Sequence, residues 1–171
     1  MAANVLCNGR RSFPHQLITI PNHAVFRMTL LYQQTNVSIY HNQLDQWLYA
    51  DWTGYQAVEQ VKQGCEQLLL CMLARQTYDI LNDNTNVAGI WTGAAEWVGT
   101  NWFPRLRAKG MRRFAWVYSP SRFSQISTDS ALQVAPPDIA KVFSTMAEAE
   151  EWLRERRDTA DRAKRFTQRL R

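Results

Sequence analysis

The sequence predicts an α/β fold: a small mixed β-sheet with crossover helices packed mainly on one of its faces. Short segments rich in β-branched and aromatic residues begin near residue 29, and helical patterns then alternate with further short apolar segments. One late segment, residues 114–118, is almost wholly apolar, which is typical of a central strand covered on both faces. Alternation of this kind favours right-handed crossovers onto a partly parallel sheet.

Three strands are predicted in the first part of the domain, over residues 29–34, 37–42 and 47–52. Each is rich in β-branched or aromatic side chains, and a corner at Thr35 and Asn36 separates the first two. An antiparallel meander is the expected assembly.

A helix is predicted over residues 55–75, because apolar residues recur there at spacings of three and four along one stripe. Gly64 weakens the middle of this helix by about 1 kcal/mol relative to alanine, a cost that close packing of the helix on the sheet would explain. Cys65 and Cys71 are expected to be buried small hydrophobes. The three cysteines form no metal-ligand spacing and no disulfide framework, which favours a reducing, cytoplasmic location.

A strand over residues 77–81 is predicted to lead into a polar loop at residues 82–86, whose residue types favour turns. Thr92 is the expected N-cap of the helix that follows. Pro104 should kink or divide that helix, because proline lacks the backbone donor. Backbone N–H groups behind the loop could hold an anion or a partner's side chain, and a simple turn is the alternative.

The last third of the domain contains two more helices. Ser119 and Pro120 favour a helix opening, with Phe123 and Ile126 facing inward. A short strand is predicted over residues 141–144, and a capping box at 145–148 opens a long C-terminal helix.

The charge pattern divides the chain into a flexible N-terminal arm (1–27), a folded domain (28–153) and a basic C-terminal helical extension (154–171). The net charge of +5 comes from the two ends, since the domain itself has more acidic than basic residues. Nucleic-acid binding is therefore not expected, because no basic stripe with interleaved aromatics lies within the domain. No apolar run is long enough to predict a transmembrane segment.

Several short motifs of this chain are similar to those of a known family. The matching segments are Asp51-Trp52-Thr53-Gly54, Ile80-Leu81-Asn82-Asp83-Asn84, Trp97, Trp102-Phe103-Pro104-Arg105-Leu106, Gly110, Phe114-Ala115-Trp116-Val117, Phe143 and Ala149-Glu150-Glu151-Trp152-Leu153. Over about residues 28–153 the chain resembles the STAS domain, in its SpoIIAA-like branch, often labelled STAS/SEC14. The resemblance implies a small mixed sheet with helices largely to one side.

The resemblance also implies a regulatory role. In the anti-sigma antagonists of this family, a serine or threonine in the loop that opens the second helix is phosphorylated to switch partner binding. The corresponding region here is residues 82–92, where Thr85 and Thr92 are the only hydroxyls and no Asp-Ser-Ser-Gly-like motif stands. The phosphorylation switch is therefore not expected.

The sequence does not predict an enzyme. Of His15, His23 and His41, two lie in the N-terminal arm and the third lies on an early strand. Cys65 and Cys71 have no evident activating partner, and neither a glycine-rich phosphate loop nor a paired-carboxylate spacing is present. No catalytic residue, metal ligand or cofactor is predicted.

A binding surface is predicted on the loop over residues 82–92 and the helix after it. Trp97 and Trp102 point about 140° apart on an ideal helix, so Trp97 is displaced towards solvent or a neighbouring element if Trp102 is in the core. The alternative is that all these aromatics pack inside. The predicted binding residues are Asp83, Asn84, Thr85, Asn86, Trp91, Thr92, Trp97 and Asn101.

Two functions remain open. The first is a regulatory module that binds a partner protein, or itself as a homodimer, through this surface. The second is a carrier or sensor of a hydrophobic small molecule or lipid, by analogy with the SEC14 label. The first is preferred, because loop residues and an exposed aromatic helix suffice for it.

Overall fold

The computed structural model of this protein describes residues 17–18 and 26–155. Most of the predicted flexible arm and of the predicted basic extension therefore lies outside the described residues. Within the arm, residues 17–18 and 26–27 belong to strands.

The described strands form one mixed sheet, and their order in space is their order along the chain. The first four are antiparallel to one another, and the last four run parallel. A two-residue edge strand precedes the six that make up most of the sheet. The strands are β1 (Leu17–Ile18), β2 (Phe26–Gln33), β3 (Val37–Asn42), β4 (Trp47–Tyr55), β5 (Asp79–Ala88), β6 (Arg113–Val117) and β7 (Lys141–Phe143).

Helices connect the parallel strands and follow the last one. They are α1 (Val58–Arg75), α2 (Thr92–Trp97), α3 (Phe103–Ala108), α4 (Arg122–Val134) and α5 (residues 146–155). A π-helical turn, Val98–Trp102, joins α2 to α3, and in it the Phe103 N–H donates to the Val98 carbonyl. Pro104 lies in the first turn of α3, directly after the π-helical turn. The helix predicted to be kinked or divided by this proline therefore continues, and only its α-helical hydrogen-bond pattern is interrupted beside the proline.

The two faces of the sheet are covered unequally. Helices α1 to α4 pack on the first face, around buried residues that include Leu48, Ile80, Phe103, Phe114 and Trp116. On the second face, the first turns of α5 cover a smaller cluster that includes Trp47, Leu81, Val117, Phe143 and Leu153. Every residue of β6 is buried, as its apolar sequence predicts. The predicted fold class is confirmed.

Helix α1 approaches the sheet most closely at Gly64. A Cβ atom added there would lie 2.5 Å from the Cη2 atom of the Trp52 ring. Any larger side chain would collide with that ring, so close packing explains the glycine. Cys65 and Cys71 are both buried, as predicted.

The prediction of a polar loop at residues 82–86 is wrong, because β5 continues through this segment to Ala88. Its backbone pairs with β4 as far as Tyr55, across one irregularity in register. Asn82, Asp83 and Asn84 are all buried. Polar side chains that find hydrogen-bond partners within the sheet are compatible with a strand. The loop that connects β5 to α2 is therefore only residues 89–91.

The opening of α4 also differs from the prediction, since the helix begins at Arg122 and not at Pro120. The Ser119 hydroxyl donates to the Val87 carbonyl at 2.7 Å and accepts the Ser121 N–H at 3.0 Å. Ser119 therefore ties the end of β6 to β5.

The inward face predicted for α4 is wrong. Phe123 and Ile126 are both more than half exposed. The residues that face the sheet and α2 are small ones: Ser124, Ser127, Thr128 and Ala131.

The two predicted N-terminal caps have different outcomes. Thr92 is the first residue of α2 and is exposed, and no side chain caps this helix, so that prediction is wrong. The capping box of α5 is confirmed. There the Thr145 N–H donates to a Glu148 carboxylate oxygen at 3.1 Å, and the Glu148 N–H donates back to the Thr145 hydroxyl at 3.3 Å.

None of the described helices combines the length and the apolar character that a membrane span requires.

Candidate functional site

A cavity of about 30 Å³ lies on the first face, towards the carboxyl ends of β4, β5 and β6. Parallel α/β sheets commonly bind ligands at this edge, because the strand ends and the following loops form a crevice there. The lining residues are mainly aromatic and aliphatic, with three amides among them: Trp52, Gln56, Val61, Cys65, Asn82, Asn84, Val87, Trp91, Val98, Trp102, Phe114 and Trp116.

Two of the four tryptophans that line the cavity have hydrogen-bond partners in the protein. The Trp52 indole N–H donates to the Asn82 side-chain oxygen at 2.8 Å. The Trp102 indole N–H donates to the Cys65 carbonyl at 2.8 Å. These bonds fix the two rings against β5 and α1.

The other two tryptophans, Trp91 and Trp116, have buried indole nitrogens that find no hydrogen-bond partner among the described residues. The side chains are only 6% and 4% exposed, and their rings are stacked with centroids 6.0 Å apart. A buried donor without an acceptor costs about 1–3 kcal/mol, so two such donors at one cavity call for a physical reason.

Amide side chains form the polar part of the wall. The Asn82 side-chain nitrogen donates to the Asn84 side-chain oxygen at 3.1 Å. Gln56 accepts a hydrogen bond from the Asn36 side chain at 2.8 Å and donates to the Thr53 carbonyl at 2.8 Å. Gln56 thereby joins the end of β4 to the turn between β2 and β3.

None of the described residues that line the cavity is charged. The thiol among them, Cys65, is fully buried, and burial raises the pKa of this thiol well above its usual range. The site therefore offers neutral hydrogen-bond donors and acceptors but neither a thiolate nucleophile nor an ion pair.

The loop over residues 89–91, beside the cavity, meets two elements that carry exposed apolar side chains: the end of β4 with Tyr55, and α4 with Phe123 and Ile126. These three side chains and Ile90 of the loop are here termed the loop surface. Each of these side chains is more than half exposed. The backbone N–H of Trp91 donates to the Ser127 hydroxyl at 2.9 Å. This bond holds the Ile90–Trp91 peptide against α4. The Tyr55 ring lies over Gly89, 2.8 Å from where a Cβ atom would stand.

A pair of carboxylates occupies the second face of the sheet. Asp51 and Asp83 are direct partners on β4 and β5. Asp83 accepts hydrogen bonds from the Tyr49 hydroxyl at 2.9 Å and from the Thr85 N–H at 2.8 Å. The pKa of Asp51 is raised, first by burial and then by the Asp83 charge, while a hydrogen bond with Asn86 opposes the rise.

The structure brings together only some of the eight predicted site residues. Asn84 and Trp91 line the cavity, whereas Asp83 lies on the opposite face of the sheet. Trp97 is half-buried against the first core. The remaining four are exposed: Thr85, Asn86, Thr92 and Asn101. The Asn101 side chain accepts a hydrogen bond from Arg105 at 3.2 Å.

Sequence reasoning missed Trp52, Gln56 and Trp116 as cavity residues. It also missed the carboxylate pair, because the two aspartates meet only through the register of β4 with β5. A signal was present in the strand alternation, which places Trp52 and Asn82 on the same face as Leu48 and Ile80.

Comparisons with known proteins add no further evidence. The chain matches no protein-family model, no curated protein and no solved structure. The STAS resemblance therefore stays a prediction.

Proposed function

We propose that this chain is a non-enzymatic regulatory module of the STAS type, which binds a partner protein or a second copy of itself through the loop surface. The supporting observation is the grouping of large exposed apolar side chains around one loop. Tyr55 is 79%, Phe123 64% and Ile90 56% exposed. Single exposed apolar residues are common, but several of them on elements that meet at one loop favour an association site.

The position of this surface agrees with the STAS resemblance. Partner binding in that family involves the loop that opens the second helix, and here Ile90 belongs to that loop. Full burial of a side chain such as isoleucine or phenylalanine contributes about 1.5–3 kcal/mol, so a few such contacts suffice for a regulated complex.

The proposal is tested by sedimentation velocity over a range of protein concentrations. Replacing Ile90 and Phe123 together with serine should abolish any concentration-dependent increase in mass. The matched control replaces Leu70 and Leu73, two exposed apolar residues on α1, with serine. Its mass should depend on concentration as that of the wild type does. Equal behaviour of both variants would contradict a role for the loop surface.

If the wild type stays monomeric at every concentration, the partner is a different protein. A photo-crosslinking residue at position 90 should then give a discrete adduct in an extract of the native host, and the same residue at position 70 should not. Identical adducts from both positions would count against the proposal.

The alternative function, a carrier or sensor of a hydrophobic small molecule, draws on the cavity. A volume of about 30 Å³ is far below the roughly 150 Å³ of an engineered cavity that takes up benzene. A lipid chain would need a large rearrangement, so the cavity favours a much smaller ligand.

A further inference from the structure

We propose that the cavity between Trp91 and Trp116 is a binding site for a small neutral molecule that presents a hydrogen-bond acceptor, such as a ketone or amide oxygen, to the two indole N–H groups. This inference goes beyond the proposed function and does not depend on the loop surface. It rests on two buried donors without partners at one cavity.

The donors determine what the ligand must carry. Both unpaired groups are indole N–H groups, which donate and cannot accept. The other two tryptophans of the wall are already satisfied by Asn82 and by the Cys65 carbonyl. A bound molecule must therefore supply acceptor atoms, and one carbonyl oxygen has two lone pairs with which to accept both bonds.

The wall determines the charge of the ligand. None of its described residues is cationic or anionic, and moving a charged group into such a site without a counter-charge is unfavourable. The ligand is therefore neutral. Its body is apolar, since rings and aliphatic groups from Val61, Val87, Val98 and Phe114 make up much of the remaining wall.

The volume determines the size of the ligand and indicates how it enters. About 30 Å³ is room for one or two water molecules, so a ring-sized ligand must displace part of the wall. Trp116 lies on the interior strand β6, between β5 and β7, and is fixed by contacts with Phe103 and Phe114. Trp91 lies outside the regular elements, at the start of α2, and is the ring that can move.

The test uses two probes of the same shape, cyclopentanone and methylenecyclopentane, of which only the ketone has an acceptor. Binding is followed by the indole N–H resonances in ¹H–¹⁵N NMR spectra, assigned through single Trp→Phe variants. The ketone should shift the resonances of Trp91 and Trp116 and bind about tenfold more tightly than the alkene. Trp47, whose buried indole nitrogen also lacks a partner but lies on the second face, is the internal control and should not respond.

Two variants separate hydrogen bonding from cavity size. Trp116→Phe and Trp91→Phe each remove one donor and keep an aromatic ring, and each should reduce the preference for the ketone by about threefold to tenfold. The ratio of the two affinities is the readout, because an enlarged cavity affects both probes alike. Trp47→Phe should leave the ratio unchanged. If Trp116→Phe fails to fold, Trp91→Phe provides the same comparison.

The opposite result would overturn the proposal. Equal affinities for the two probes would mean that the indole N–H groups take no part in binding. If neither Trp91 nor Trp116 responds and both indoles receive magnetisation from water, the cavity holds water only. Neither result would affect the sedimentation test of the loop surface.

Discussion

Two glycines on the first face are contact points at which helices meet their neighbours without side chains between them. Gly64 faces the Trp52 ring, as described above. Gly99, in the π-helical turn, faces α4, where an added Cβ atom would lie 2.4 Å from the Ala131 carbonyl oxygen. The Trp52 ring is a side chain, whereas the Ala131 carbonyl belongs to a helix backbone. Gly99 is therefore the less replaceable of the two.

Gly99→Ala is expected to lower the free energy of unfolding by about 1–3 kcal/mol, because α4 must move away from the π-helical turn. Gly93→Ala is the matched control, since its added Cβ atom meets only the end of the partly exposed Val58 side chain. The control should lie within about 0.5 kcal/mol of the wild type. Urea unfolding of the three proteins measures the difference, and equal stabilities of the two variants would contradict the assigned helix contact.

At the scale of residues, the sequence identified the tryptophan-rich segment but could not say which rings have hydrogen-bond partners. Trp97 was predicted to be displaced if Trp102 is in the core, and it is half-buried while Trp102 is fully buried. The pairing of Trp52 with Asn82, however, depends on the register between two strands that are far apart in sequence. Periodicity along one strand carries no information of that kind.

At the scale of elements, β5 and α4 show where pattern reasoning fails. The polar run in β5 has the composition of a turn, yet Asp83 and Asn84 are held by bonds from Tyr49 and Asn82. The inward face of α4 is made of small residues because the backbone of α4 lies against Gly99. Its large apolar residues are left outside. A prediction from hydrophobicity alone places the large apolar residues of α4 inside and its small residues outside, which is the reverse of the structure.

The carboxylate pair gives a prediction for the β4–β5 ladder. Like charges on directly paired strand positions are destabilising. Asp83 accepts a hydrogen bond from the Thr85 N–H, whereas one buried oxygen of Asp51 finds no partner among the described residues. Asp51→Asn should therefore raise the free energy of unfolding at pH 7 by a few tenths to about 1 kcal/mol. Glu96→Gln, on the exposed side of α2, controls for the change in net charge.

The pH dependence of this effect has a definite sign. Because the pKa of Asp51 is raised in the folded protein, its protonated form favours folding at low pH, and that contribution is lost as the pH rises through the raised pKa. The advantage of Asp51→Asn should thus shrink as the pH falls from 7 towards the ordinary aspartate pKa of about 3.9. Chemical denaturation at several pH values measures it. A variant less stable than the wild type at pH 7 would mean that the Asp51 carboxylate is engaged by a cation.

At the scale of the whole molecule, α5 closes the second face. Buried Arg113 on β6 donates hydrogen bonds to the carbonyls of Trp152 and Leu153, and its guanidinium lies over the Trp152 ring. Arg154 is bonded to Asp45 in the turn between β3 and β4. The sequence predicted the capping box of this helix. It could not predict that two arginines from different elements would dock it.

The two proposed sites share one short segment, the Ile90–Trp91 peptide. The Ile90 side chain belongs to the loop surface, the Trp91 ring lines the cavity, and the Ser127 hydroxyl holds the peptide between them against α4. A ligand that moves the Trp91 ring must therefore act on the position of Ile90. Reciprocal coupling between the cavity and the loop surface follows from the two proposals taken together.

Saturation with cyclopentanone should change the association constant of the loop surface by about fivefold or more, and the associated form should bind the probe with an affinity changed by the same factor. Sedimentation velocity with and without the probe measures the first effect, and NMR titration at low and high protein concentration measures the second. Ser127→Ala removes the acceptor of the Trp91 backbone N–H and should reduce the coupling. Ser130→Ala, on the exposed side of α4, should leave the coupling intact. An association constant that is the same with and without the probe would show that the Ile90–Trp91 peptide does not transmit occupancy of the cavity to the surface.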